Sequence, residues 1–212
     1  GDRVDLMTPI VKGWCSEVCQ ELTSIGLQIH GGMGYIEETG AAQHFRDARI
    51  TTIYEGTTSI QAHDLVGRKI LKDKGLALKA LLQDIEFTMS ELDTGHDIIA
   101  RIEHELSQSI KSVKLSLNYL MDHYRDDHHL AGAISYNFLM MLGTLIAGWL
   151  AARSAQIAVD KIQSDASDRE FYESKLVSCQ FFTEQILPKV DSYARSISSG
   201  SVATMALSED QF

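Results

Sequence analysis

Apolar residues recur at every third or fourth position through most of this 212-residue chain, and that period constrains its fold more than any other feature. The clearest stretch is Ile98, Ile102, Leu106, Ile110, Val113, Leu117, Leu120 and Tyr124, which puts one apolar stripe on one helix. Comparable stripes comprise Leu6, Ile10, Trp14, Val18, Leu22, Ile25 and Ile29, then Leu78, Leu81, Ile85, Met89 and Leu92. Another runs from Tyr172 through Leu176, Cys179, Phe182, Ile186, Val190 and Tyr193 to Ile197, and a long helix covers about Leu130 to Ile162. With two prolines in the whole sequence long helices are permitted, and Pro188 is expected to kink the last one. The fold class is all-α, and its later part reads as an antiparallel bundle of four helices with short connections.

One stretch breaks the pattern. Gly31-Gly32-Met33-Gly34 ends the first helix, Gly40 follows, and Ile50-Thr51-Thr52-Ile53-Tyr54 is β-branched and reads as extended. Thr58 and Gln61 have the spacing of a capping box, opening a helix that continues through Ile60, Leu65 and Ile70. Lys72-Asp73-Lys74-Gly75 is polar and marks a boundary. Three portions are expected: 1–72, containing the glycine-rich loops; 73–200, the helical bundle; and 201–212, a flexible acidic tail.

Charge is divided unevenly. Residues 1–72 hold 7 basic and 9 acidic side chains, and the remainder 12 and 20, for a total of −10. Such a surface repels phosphate backbones and excludes nucleic acid as a partner. Three cysteines without a Cys-x-x-Cys pair exclude a disulfide scaffold and suit a reducing cytoplasm. The sequence opens Gly1-Asp2-Arg3 with neither methionine nor apolar signal segment, which reads as a piece of a longer polypeptide. Residues 130–152 carry no charge and are long enough to span a bilayer. Ser135, Tyr136, Asn137 and Thr144 dilute that run, however, and three neighbouring amphipathic helices need a partner, so a buried bundle helix is expected in place of a membrane span. Five of the eight histidines lie between His96 and His129, but no Glu-x-x-His occurs and a solvated helix junction is expected there, without metal.

The loop-rich stretch holds the chemistry. Gly31, Gly32 and Gly34 read either as a phosphate cradle or as a helix-ending turn. Arg46, Asp47 and Arg49 read as a salt-bridged surface turn. Glu55, between Tyr54 and Gly56 and just before a helix start, suits a general base, while Thr57, Thr58 and Ser59 offer donors at a helix N-terminus. The alternative for the same residues is a plain capping turn.

Three segments change that balance: Gln28-Ile29-His30-Gly31-Gly32-Met33-Gly34-Tyr35, Phe45-Arg46-Asp47-Ala48-Arg49-Ile50, and Ile53-Tyr54-Glu55-Gly56-Thr57-Thr58-Ser59-Ile60-Gln61. In order and spacing they resemble the C-terminal helical domain of acyl-CoA dehydrogenases over about residues 5–72. The helices that follow resemble the C-terminal extension of the larger bacterial members, including the methylmercaptopropionyl-CoA dehydrogenase-like group.

The resemblance implies α,β-desaturation of an acyl-CoA thioester with FAD as hydride acceptor and an electron-transfer flavoprotein as the next carrier. It implies Glu55 as catalytic base, Gly56 against the substrate, and Thr57, Thr58 and Ser59 at the FAD. It further implies that Gln28, Gly31 and Gly32 reach the FAD of a neighbouring subunit, hence a homodimer or dimer of dimers. An arginine that many members carry on the helix after the glutamate falls, by counting, on Gly67, with Arg68 one position off. The N-terminal helical and central β-domains that form the flavin and acyl-CoA pocket in such enzymes are not in this sequence, nor are two helices that should precede Asp5. The expected object is a C-terminal fragment of a cytoplasmic enzyme, inactive by itself; the alternative is a non-catalytic helical adaptor or oligomerisation module derived from that fold.

Overall fold

The computed structural model describes residues 1–164 and 167–211. Every regular element among them is helical. The order is α1 (Asp2–Ile29), the short α2 (Gly32–Tyr35), α3 (Ala41–Thr51), α4 (Thr58–His63) continuing as a π-helix (Asp64–Leu71), α5 (Leu76–Ser90), α6 (Asp97–His123), α7 (Leu130–Gln163), α8 (Arg169–Phe181), a π-turn (Phe182–Ile186) and α9 (Lys189–Ser198).

The charge-free run forms the middle of α7, the axis of the molecule. By length and composition this helix is apolar enough to cross a membrane, yet 67% of its most apolar window is buried inside the protein. Helices α6 and α7 run antiparallel: residues 124–129 join them, and Leu106 of α6 comes within 3.6 Å of where a Cβ on Gly148 would sit. Trp149 Nε1 donates to Thr88 Oγ1 of α5 at 3.0 Å, and Ser112 of α6 donates to Asp191 of α9 at 2.6 Å, so the later helices close around α7. On the other side α1 packs on α7, with Leu6 and Ile10 buried in the same core as Leu65, Ile70, Phe138 and Leu139. The core is therefore continuous across residue 72.

Several expectations are corrected here. The stripe read along α1 does not stay on one face: Leu6 and Ile10 are buried, whereas Leu22 is 60% and Ile29 79% exposed. Four successive steps of four residues each overshoot a turn by about 40°, so the stripe winds about 160° around the helix between Leu6 and Leu22. Ile50-Thr51-Thr52-Ile53-Tyr54 is not extended. Ile50 and Thr51 end α3, and the Ile53 and Tyr54 N–H groups both return to the Ile50 carbonyl at 3.0 Å. β-branched side chains favour strands through packing on a pleated neighbour, and no strand is there to receive them. Thr57, not Thr58, caps α4: its side chain accepts from Ile60 N. Pro188 separates two helices and stands at the N-cap of α9. Arg46 and Arg49 lie within α3, not on a turn; Arg46 forms a two-pronged pair with Glu37 at 2.8 and 2.7 Å.

Candidate functional site

The α3–α4 connection makes an unusual turn. After Thr52 the backbone passes through two left-handed residues in succession, Glu55 at φ 53° and Gly56 at φ 87°. Glycine meets no steric cost in that region; a glutamate does, of order 1–3 kcal/mol, and is held there only by its surroundings. A Cβ on Gly56 would also stand 2.9 Å from Gln61 Nε2.

The surroundings consist of four tethers. The Thr58 N–H returns to the Thr52 carbonyl at 3.2 Å, closing the loop. Gln61 Nε2 donates to the Glu55 carbonyl at 3.2 Å. From α1, Lys12 Nζ donates to the Gly56 carbonyl at 2.6 Å, and Glu17 accepts the Thr58 hydroxyl at 2.6 Å. The Glu55 side chain is left exposed, beside Ile53 and Tyr54, each about half-exposed. The backbone N–H groups of Glu55 and Gly56 find no acceptor among the described residues. The turn thus combines an exposed carboxylate with two backbone N–H groups that have no partner among the described residues.

Glu55, Gly56, Thr57, Thr58 and Ser59 are brought together as the sequence suggested, but not as equals. Thr57 is occupied in capping, and Thr58 is buried with its hydroxyl on Glu17. Ser59 is exposed, and its hydroxyl makes no hydrogen bond among the described residues. Gln28, Gly31 and Gly32 are elsewhere. Gln28 lies 16 positions beyond Lys12 on α1, about 24 Å along the axis at 1.5 Å per residue. There Gly31, at φ 60°, ends α1 by donating to the Gln28 carbonyl at 3.0 Å, and a Cβ on Gly31 or Gly32 would meet nothing within 4 Å. Between the two groups the outer face of α1 and the start of α3 form an apolar groove of about 680 Å³ with Val18, Leu22 and Ala41 in its walls.

The histidine-rich junction is held by a hydrogen-bonded turn and a ring stack. Asp127 accepts from the His129 N–H at 3.0 Å and from Ser201 Oγ, and His123 stacks on Tyr119. No group of three metal-ligating side chains occurs among the described residues.

Sequence reasoning missed Lys12 and Glu17, and it read Gln61 as half of a capping box where its side chain instead holds the Glu55 carbonyl. The first two fell outside the apolar stripe of α1, and only their contacts across the fold give them meaning. Residues 64–71 are π-helical, and within them Arg68 pairs with Asp64 at 3.1 Å.

The sequence pattern described as "Acyl-CoA dehydrogenase, C-terminal domain" matches residues 1–71, and that described as "Acetyl-CoA dehydrogenase C-terminal like" matches residues 78–208. The chain belongs to the acyl-CoA dehydrogenase family. The chain is 42% identical to the 3-methylmercaptopropionyl-CoA dehydrogenase of Ruegeria pomeroyi over 183 residues, covering 86% of the chain and 31% of the relative. It is 36% identical over 218 residues to the broad-specificity linear acyl-CoA dehydrogenase FadE5 of Mycobacterium tuberculosis, covering 98% of the chain and 35% of the relative. Its fold is shared with an acyl-CoA dehydrogenase from Bacillus anthracis solved in complex with FAD, with a TM-score of 0.67 at 19% identity, over 97% of this chain and 34% of that one. The chain spans about a third of the length of the curated relatives it matches.

Proposed function

We propose that this chain is the C-terminal part of a cytoplasmic FAD-dependent acyl-CoA dehydrogenase, with Glu55 as the base that starts the α,β-desaturation of an acyl-CoA thioester. The observation that carries the reading is the Glu55–Gly56 turn. Two left-handed residues, four tethers and an exposed carboxylate flanked by its own unpaired N–H form a pre-organised group with no structural task of its own. Strain retained at one exposed acidic residue is characteristic of a working site.

In this reading the Glu55 carboxylate takes the α-proton of the thioester, and electron density moves toward the thioester oxygen. The free Glu55 N–H faces the developing negative charge, where a fixed donor stabilises the transition state more than the ground state. Gly56, without a side chain, lets the thioester approach the backbone. A flavin bound beside the turn would supply the acceptor for the β-hydrogen as hydride, with an electron-transfer flavoprotein as the next carrier and the enoyl-CoA as product.

The exposed hydroxyl of Ser59 and the exposed Gln28 amide fit a flavin nucleotide as neutral hydrogen-bonding partners, and the open Gly31–Gly32 backbone admits close approach. The separation of these groups along α1 supports the assignment of Thr57, Thr58 and Ser59 to one flavin and of Gln28, Gly31 and Gly32 to that of a neighbouring subunit, in a homodimer or dimer of dimers. Thr58 then contributes by shaping the loop, since its hydroxyl donates to Glu17 and its N–H to the Thr52 carbonyl. The exposed apolar face of α1 supports the proposal that further parts of the enzyme complete the dry pocket that proton abstraction needs. Glu55→Gln in the full-length enzyme is expected to abolish turnover with flavin still bound at full occupancy; loss of flavin with turnover would make Glu55 structural and overturn the assignment.

A further inference from the structure

We propose that Lys12 is a positioning residue for the Glu55 turn: its ammonium, 2.6 Å from the Gly56 carbonyl, fixes the Gly56–Thr57 peptide and so aims the Glu55 carboxylate and N–H just before it. The inference rests on the reading of Glu55 as the base.

Lys12 spends its charge in an uncommon way. It is half-buried, forms no ion pair among the described residues, and its hydrogen-bond partner there is a neutral carbonyl 44 positions away. A charged donor makes a shorter and stronger hydrogen bond than a neutral one, which is what a strained turn requires of an anchor. The other tethers cannot replace it. Gln61 belongs to α4 and moves with the turn it holds, while Glu17 holds Thr58, two residues past Gly56. Among the described residues Lys12 alone links the Gly56 carbonyl to a separate, rigid element.

That element is locked in place immediately beside Lys12. Gly13 lies so close to Leu139 of α7 that a Cβ would come within 2.7 Å of its side chain, and Trp14 Nε1 donates to Thr144 at 3.2 Å. Ser16, in turn, donates to the Lys12 carbonyl at 2.6 Å. A continuous path of contacts therefore runs from α7 through α1 and Lys12 to the backbone of Gly56. Placement errors of about 1 Å at a reacting group cost about a hundredfold in rate, so an anchor of this kind acts on the chemical step and not on substrate affinity.

The test uses the full-length enzyme with Lys12→Met, which keeps the length of the stem and removes the donor, and Lys12→Arg, which retains a charged donor. Lys12→Met is expected to lower kcat at least tenfold, with KM for the acyl-CoA, flavin content and Tm unchanged. Exchange of the acyl-CoA α-proton into D2O, followed by NMR, is expected to slow by the same factor, and Lys12→Arg to recover part of both. A crystal structure of Lys12→Met is expected to show the Gly56 carbonyl rotated from its position. Unchanged kcat and exchange in Lys12→Met overturn the inference, as does a loss of activity that follows loss of flavin and Tm. Should Lys12→Met fail to fold, Lys12→Gln, a neutral donor, is read by the same split. Glu55→Gln measured alongside keeps the two ideas apart: an active Glu55→Gln sinks the base assignment, whereas an inactive Glu55→Gln beside a fully active Lys12→Met sinks only the role of Lys12.

Discussion

The indole of Trp14 lies directly over Gly143: a Cβ at that position would fall 2.2 Å from Trp14 Cγ. This contact, with the hydrogen bond from Trp14 Nε1 to Thr144, seats α1 on α7 and sets the height at which Lys12 and Glu17 meet the Glu55–Gly56 turn. Two effects oppose each other in Gly143→Ala. Helix propensity favours alanine by about 1 kcal/mol, while overpacking a filled core costs about 1–3 kcal/mol and the indole has nowhere to move without lifting α1. The clash wins. Gly143→Ala is expected to lower the urea midpoint by a net loss of up to about 2 kcal/mol without changing the m value. A stabilised variant would mean that α1 slides freely on α7.

Gly56→Ala tests the turn itself. At φ 87°, with Gln61 Nε2 2.9 Å from the new Cβ, alanine is strained twice over, at a cost of about 1–3 kcal/mol. Because the four tethers hold the turn from several directions, the local structure is expected to give before the fold does. Stability in urea falls by that amount, and in the full-length enzyme turnover falls much further, since the Glu55 backbone is displaced. Equal, small losses in both would show the left-handed conformation to be incidental.

Much of this was legible in the sequence, for a definite reason. In α6 a single stripe at helical spacing, Ile102, Leu106, Ile110, Val113 and Leu117, meets a single core, and pattern and burial coincide. In α1 two apolar faces share one helix, so a stripe drawn by spacing crossed from the buried face to the exposed one near Trp14. Ile50 to Tyr54 misled because β-branching reports on partners that only tertiary structure supplies. Glu55 stood out because an acidic residue next to a glycine before a helix start is a local pattern. Lys12 left no such trace: a side chain bonded to a distant backbone carbonyl has no signature in sequence spacing.

Thr183 carries the clearest unmet polar group in the core. It is fully buried at the π-turn between α8 and α9, and its hydroxyl has no hydrogen-bond partner among the described residues. Removing a buried hydroxyl that gains nothing from its site recovers its desolvation cost, and valine has nearly the same shape. Thr183→Val is expected to raise stability by about 1 kcal/mol, seen as a higher urea midpoint; a loss of stability would reveal a partner for the hydroxyl in solution.

Asp127 and Ser201 tie the junction before α7 to the residue after α9, and the tie is sensitive to acid. The Ser201 hydroxyl, followed by the N–H groups of His129 and Leu130, holds the Asp127 carboxyl below its ordinary value of 3.8 against the opposing effect of burial. A carboxyl whose pKa is lower folded than unfolded binds fewer protons in the native state, so its contribution to stability is complete above the unfolded value. That contribution is then lost as the pH falls from about 3.8 through the depressed folded value. Ser201→Ala removes the largest cause of the depression. Its Asp127 carboxyl is expected to titrate closer to 3.8 by carbon-detected NMR, and the stability gap between the two proteins to be constant near neutrality and to narrow below pH 3.8. A gap that stays constant down to the acid limit would assign the Ser201 contribution to packing rather than to the charge on Asp127.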